Sequence, residues 1–244
     1  MQTAIRAENL SKSYGGSKVL DGLNLSVGRG EVVGLLGANG AGKSTAVECI
    51  LGTKNPDGGT AAILGMDPRK DRKKLFERVG VQFQEGSYPD RITVAELCEE
   101  TQSFYRNALD YRDLLKLFGL ADKHKSAVSE LSGGQKQRLF IVLALIPDPE
   151  AVFLDELTTG LDTKARRDVR KCLAGLKEKG LTILLTSHFM GEVEALCDRI
   201  YILKKGQCIF EGTVQEAVAS SPHENLEDAY LWYTGEEENE NESI

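Results

Sequence analysis

"EVVGLLGANGAGKSTAVECI", residues 31–50, decides the fold. It opens with a short unbroken apolar run, the mark of a strand buried on both faces of a parallel sheet. It then crosses glycines 37, 40 and 42 and enters a stretch that reads as a helix from Lys43 to Leu51. Gly37 to Ser44 fit the pattern G-x-x-x-x-G-K-[ST] in the context that gives the pattern meaning, after a strand and ahead of a helix. Glycines there let backbone N–H groups converge on phosphate oxygens, and the helix start adds positive potential. Lys43 has the charge and reach for β and γ phosphates, and Ser44 a hydroxyl suited to Mg2+.

On the amino-terminal side, "LNLSV" sends Leu23, Leu25 and Val27 to one face and "GRGE" supplies a tight turn, so the first thirty residues read as strands. On the other side "TKNPDGG" breaks the chain, and a second buried strand, "VGVQF", ends near Gln84. "TVAE" at 93–96 matches a capping box, and a helix through "YRDLLKLFGL" stops at Gly119. The middle of the chain is all helix and predicts a lobe on one side of the sheet. "SELSGGQKQRL", 129–139, is a second glycine-rich helix start, and its helix runs to the prolines of "IPDP". "AVFLDE" is then a buried strand that delivers Asp155, suited to hold a metal through its water shell, and Glu156, able to take or orient a water proton. A basic helix spans roughly 163–179, and "LTILLTSH" is another buried strand ending at His188. The β-α-β rhythm puts the reactive residues at strand carboxyl ends, where open α/β sheets bind ligands.

The totals fit one large α/β domain or two small ones: 244 residues, 41% hydrophobic and 27% charged. Of the formal net charge of -7, five negative charges sit on Glu236, Glu237, Glu238, Glu240 and Glu242, in a tail with no Lys or Arg. The tail reads as a solvated, disordered end, and the nearly neutral body gives no basic face for a nucleic acid. The five cysteines show no C-x-x-C spacing and read as reduced core residues of a cytosolic protein. "RKDRKK", 69–74, reads as a solvated face. The start has no signal-peptide pattern, and the longest apolar run, "LFIVLALI", falls far short of the ~20 residues that span a bilayer. A membrane role must come through a partner.

Taken together, "GANGAGKS", Gln84, "LSGGQ" at 131–135, "AVFLDE", "GLD" at 160–162 and His188 in "TSH" resemble, in order and spacing, the nucleotide-binding subunits of ABC transporters, over residues 5 to about 212. The resemblance implies a P-loop NTPase core with a mostly parallel sheet, an N-terminal antiparallel β subdomain, and an α-helical subdomain at about 86–146 that carries the signature. An ATP-binding domain would then cover 1–235, with the acidic tail at 236–244. It implies an ATPase that binds ATP and Mg2+ through Gly37, Ala38, Asn39, Gly40, Ala41, Gly42, Lys43, Ser44 and Thr45. Tyr14 would stack on adenine, and Ser44, Gln84 and Asp155 would serve the metal. Glu156, His188 and Gln84 would act at the γ-phosphate. The same resemblance answers why one chain has two glycine-rich helix starts: Ser132, Gly133, Gly134 and Gln135 would close over ATP held by a second, facing subunit, with Asp162 shaping the interface.

The implied partners are a second copy of the chain and an integral membrane permease, which would hold the protein on the inner face of the cell membrane; nucleic acid is not expected. "EGSYPDRITVAE", 85–96, would place Tyr88, Pro89 and Ile92 on an exposed loop that meets the permease. "NLEDAYLWYTG", 225–235, resembles the short ending of bacterial multidrug and natural-product exporter ATPases, so export is expected. The alternative is a non-transport ABC ATPase acting on ribosomes or DNA, but such proteins usually carry two cassettes or a long coiled coil, and neither is present. One position departs from the family pattern: Leu157 stands where Pro usually stiffens the turn after the two acids.

Overall fold

The computed structural model describes residues 2–82, 88–89, 91–156, 158 and 160–235. Gln84, Leu157 and the tail at 236–244, each the subject of a sequence expectation, lie outside the described residues.

The chain begins with a long hairpin, β1 (Thr3–Tyr14) and β2 (Ser17–Gly28). Leu23, Leu25 and Val27 are all buried on its inner face, as their alternation predicts. Each such side chain taken out of water contributes roughly 1.5–3 kcal/mol before entropy is counted. β3 (Val32–Leu36) then enters a different sheet and is buried at every residue. α1 (Lys43–Ile50) comes next and packs Ala46, Val47 and Ile50 between β3 and the hairpin. β4 (Gly58–Ile63) returns to the hairpin, giving an antiparallel sheet of order β2-β1-β4. Its sequence, "GGTAAI", has neither an apolar run nor a clear alternation, which is why no strand is legible there.

A single turn of helix, α2 (Arg72–Leu75), leads to β5 (Val79–Gln82). Arg69, Lys70, Arg72, Lys73 and Lys74 are exposed, the solvated basic face expected there. Three helices come after β5: α3 (Val94–Ser103), α4 (Tyr111–Leu117) and α5 (Gly133–Leu145). The predicted capping box is formed, with Thr93 and Glu96 each accepting the other's backbone N–H. Gly119 takes up φ 65° just past α4, a left-handed end that glycine adopts without steric cost. Val94, Cys98, Tyr111, Leu114, Leu139 and Val142 bind the three helices to each other and to Val152, Leu154 and Ile183 of the sheet in one apolar cluster. α5 lies so close to β5 that a Cβ at Gly80 would stand 1.9 Å from the Ala144 carbonyl oxygen.

The remaining elements alternate: β6 (Ala151–Leu154), α6 (Thr163–Glu178), β7 (Thr182–Thr186), α7 (Met190–Leu196), β8 (Arg199–Lys204) and β9 (Gln207–Gly212). α8 (Val214–Ala219) and α9 (Leu226–Thr234) close the described chain. The main sheet runs β5-β6-β7-β3-β8-β9, parallel except for the antiparallel edge strand β9. This is the mixed α/β architecture the sequence implied. Among the described residues no helix is long and apolar enough to cross a membrane.

Register determines where the chemistry gathers. Leu154 pairs with Leu185, so Asp155 stands level with Thr186; Leu35 pairs with Thr186, so the loop after β3 leaves the sheet beside the Ser187–His188 end of β7. The center of the parallel sheet thereby brings three separate sequence segments to one edge.

Two expectations need correcting. Tyr88 and Ile92 are half-buried rather than exposed, because both pack on the helical cluster, Tyr88 with its ring centroid 6.3 Å from that of Phe140; Pro89 alone of the three is exposed. The cysteines are all free, but only Cys49 and Cys98 are buried, while Cys172, Cys197 and Cys208 are half-buried.

Candidate functional site

A cleft of about 780 Å³ opens at that edge. Its walls are Gly37, Ala38, Asn39, Gly40, Gly42, Lys43, Ser44 and Thr45 from the loop and first turn of α1, with Val19, Glu156, His188 and Tyr230 opposite. Ala41 is buried behind the loop, where its N–H bonds the Ala38 carbonyl at 3.0 Å.

The loop's shape depends on two of its glycines. Gly42 has φ 107°, and a Cβ on it would stand 2.6 Å from the Val19 carbonyl oxygen; a Cβ on Gly37, at φ 155°, would stand 2.7 Å from that of Leu203. Both sites reject a side chain on steric and conformational grounds. Lys43 is buried, and its Nζ donates to the carbonyls of Gly37 at 2.6 Å and Ala38 at 3.1 Å, which aims the ammonium back across the loop. Burial lowers its pKa, and the negative charges of Glu156 and Asp155 oppose that shift. An ammonium held this way has lost water and, among the described residues, donates its hydrogen bonds to neutral carbonyls, so a polyanion in the cleft is the compensation its chemistry calls for.

The two acids are held by hydroxyl and amide groups. Thr186 Oγ1 donates to Asp155 Oδ1 and accepts the Glu156 N–H at 2.9 Å. Gln137 of α5 donates to the Glu156 carbonyl at 3.1 Å. Glu156 needs this support, because its φ of 49° is left-handed, a region that costs a non-glycine residue about 1–3 kcal/mol. The turn lifts its side chain into the cleft while Asp155 stays buried at the strand end. His188 reaches the same cleft, its ring 4.4 Å from that of Phe189.

The expected residues that lie elsewhere are equally informative. Ser132, Gly133, Gly134 and Gln135 do not line this cleft. They form the start of α5, where Ser132 Oγ accepts the Gln135 N–H at 3.3 Å and Gln135 Oε1 accepts the Ser132 N–H at 2.9 Å. Ser132 and Gly133 are exposed. Asp162 caps α6 by accepting the Ala165 N–H at 2.8 Å. Tyr14 is 44% exposed at the end of β1, with the ammonium groups of Lys12 and Lys54 at 5.4 and 5.7 Å from its ring center.

Sequence reasoning missed Val19 and Tyr230. Neither carries a local motif: Val19 is one residue of an ordinary strand, and Tyr230 reaches the cleft only because α9 folds back on Leu36 and Met190. The donors fit Mg2+ completed by phosphate oxygens. The Ser44 hydroxyl at the cleft and the Asp155 carboxylate at the end of β6 suit an ion that prefers few protein ligands, and among the described residues no cluster of three His, Cys, Asp or Glu could hold a metal unaided.

Comparison with known proteins gives a consistent result. The model of the "ABC transporter" family matches residues 20–159. The "Nod factor export ATP-binding protein I" of Paraburkholderia xenovorans (strain LB400) is 41% identical over 224 residues, which are 90% of this chain and 74% of that protein. The "Daunorubicin/doxorubicin resistance ATP-binding protein" of Streptomyces peucetius is 36% identical over 222 residues, 89% of this chain and 67% of that protein. Among solved structures, an ATP-binding subunit of an ABC transporter superposes with a TM-score of 0.86 at 27% identity, covering 95% of this chain and 99% of that one. A dimeric ATP-binding cassette in a post-hydrolysis state, bound to ADP and Pi, superposes with a TM-score of 0.78 at 27% identity, covering 86% of this chain and 98% of that one.

Proposed function

The chain belongs to the ABC transporter family as an ATP-binding, ATP-hydrolysing subunit, and on that premise we propose that it powers export and that its residues share the work of binding, metal capture and hydrolysis. The carrying observation is the convergence of Lys43, Glu156 and His188 on one cleft at the carboxyl ends of β3, β6 and β7. The loop from Gly37 to Thr45 binds the triphosphate, with Lys43 as the cation at the β and γ phosphates. Ser44, Asp155 and Gln84 hold Mg2+, which when bound neutralises phosphate charge and fixes its orientation. Glu156 orients the attacking water and takes its proton, and His188 donates to the γ-phosphate. Tyr14 stacks on the adenine.

Ser132, Gly133, Gly134 and Gln135 serve the nucleotide of a second copy, with Asp162 at the interface between the two sites. The exposure of Ser132 and Gly133, and the separation of all four from this chain's own cleft, support that reading. A permease is the membrane partner. We propose its contact around Tyr88, Pro89 and Ile92, a reading supported by the exposure of Pro89 beside half-buried Tyr88 and Ile92 on the helical cluster. Export as the direction is supported by the names of the relatives, a Nod factor exporter component and a drug-resistance component.

The test is ATP hydrolysis by the purified chain with Mg2+ and with the metal chelated, alongside light scattering with and without ATP. The expected outcome is Mg2+-dependent hydrolysis and an ATP-driven rise from the mass of one chain to that of two. Hydrolysis that persists after chelation, or a mass indifferent to ATP, contradicts the assignment. Co-expression with the permease checks the docking segment: Tyr88→Ala with Ile92→Ala should abolish transport and leave ATP binding intact.

A further inference from the structure

Glu192 is an acid on the inner face of a helix whose other buried residues, Met190, Val193 and Leu196, are apolar. It is 1% exposed. An aliphatic side chain would fill that space without the cost of burying a carboxyl group, so packing alone does not account for it. Its hydrogen bonds do. Oε2 accepts from Thr158 Oγ1 at 3.0 Å and from Ser187 Oγ at 2.8 Å. Thr158 stands two residues after Glu156, and Ser187 stands immediately before His188. Ser187 Oγ also accepts the Phe189 N–H at 3.0 Å, so one hydroxyl ties down the backbone just past His188 and bonds Glu192 at the same time.

We propose that Glu192 is a positioning residue for hydrolysis, fixing the loop that carries Glu156 against the strand end that carries His188. The proposal rests on the catalytic reading of those two residues given above. β6 and β7 are already joined at Asp155 and Glu156 by Thr186. That bridge fixes the acids but not the residues beyond them, and both chain segments leave the sheet there. Gln137 holds the Glu156 carbonyl from α5, but the Glu192 link ties the chain just past Glu156 directly to the chain just before His188. Burial pushes the Glu192 carboxyl up, while the Ser187 and Thr158 hydroxyls and the charges of Arg166 and Arg170 pull it down. Either protonation state keeps an oxygen able to accept from the two hydroxyls.

The experiment uses the full chain and measures kcat, the ATP dissociation constant and thermal unfolding for Glu192→Ala, Glu192→Gln, Thr158→Val and the Glu192→Ala/Thr158→Val pair. Glu192→Ala should lower kcat about tenfold or more, the scale of a misplaced catalytic group, while ATP affinity stays within about twofold. Glu192→Gln should recover most of the rate, because its amide oxygen accepts both hydroxyls. Thr158→Val should lower kcat by itself and add little to Glu192→Ala, since both cut the same link. A folded Glu192→Ala with wild-type kcat, a Glu192→Gln no better than Glu192→Ala, or full additivity in the pair overturns the proposal. Should Glu192→Ala not fold, Thr158→Val and Glu192→Gln carry the decision: the first must lose rate and the second keep it. Wild-type turnover in Glu156→Gln would instead sink the catalytic reading, a result separate from the coupling between positions 158 and 192.

Discussion

The two glycine-rich helix starts of this chain answer to different masters. At the phosphate loop, Gly37 and Gly42 are required by the chain itself, because a Cβ at either would collide with the carbonyl of Leu203 or Val19. At the start of α5, a Cβ on Gly133 would meet nothing within 4 Å among the described residues, and its backbone is not left-handed. Gly134 is intermediate, facing the flexible end of Leu161 at 3.0 Å. The first region is finished within one molecule; the second contains a glycine for which the described residues show no internal use. A residue type that the fold does not demand is accounted for by what meets it from outside, and the proposed facing nucleotide of a second copy meets that need.

Substitutions can break or sharpen this contrast. The largest effect is expected at the cleft that the finished region lines, where Glu156→Gln should lower kcat by a factor on the order of 10² to 10⁴ while ATP affinity is kept, because the amide preserves shape but takes no proton. Single-turnover hydrolysis with a separate nucleotide titration measures both quantities. Lys43→Ala should weaken ATP binding by about 3 kcal/mol, roughly a hundredfold, through loss of a desolvated charge partner. The contrast itself is sharpest at Gly133→Ala: hydrolysis should fall about tenfold. Monomer stability should move by less than about 0.5 kcal/mol, as for a surface change. Denaturation of the isolated chain checks this, and a large loss of stability would mean that the fold does demand the glycine. Ser132→Ala removes the cap of α5 and should cost about 1 kcal/mol of monomer stability in the same denaturation experiment, against the near-zero change expected at Gly133.

The same contrast explains what was legible in the sequence. β3, β6 and β7 are short, wholly buried runs between polar stops, so their letters announce them. Lys43, Asp155, Glu156 and His188 lie just past strand ends, and a parallel sheet brings strand ends together whatever lies between them. β4 was hidden because half of it is glycine and threonine on an exposed sheet face. Tyr230 and Val19 were hidden because only tertiary folding carries them to the cleft. Tyr88 and Ile92 were misplaced as exposed because a loop's letters do not say that a helix with Phe140 lies beneath it. The link through Glu192 was invisible for a related reason: Thr158 is 34 residues from Glu192 along the chain, and no local pattern joins them.

The central claim is that one chain's α5 start completes another chain's phosphate site, and a mixture of two disabled chains tests it most directly. One chain carries Lys43→Ala and keeps Ser132; the other carries Ser132→Arg and keeps Lys43; both carry Glu156→Gln to slow turnover. The quantity measured is the ATP-dependent heterodimer, with its bound nucleotide. The account predicts a heterodimer above either homodimer, holding one tightly bound ATP between Lys43 of one chain and Ser132 of the other. A mixture that forms no more dimer than the separate variants, at ATP levels that saturate the chain carrying Glu156→Gln alone, would contradict it.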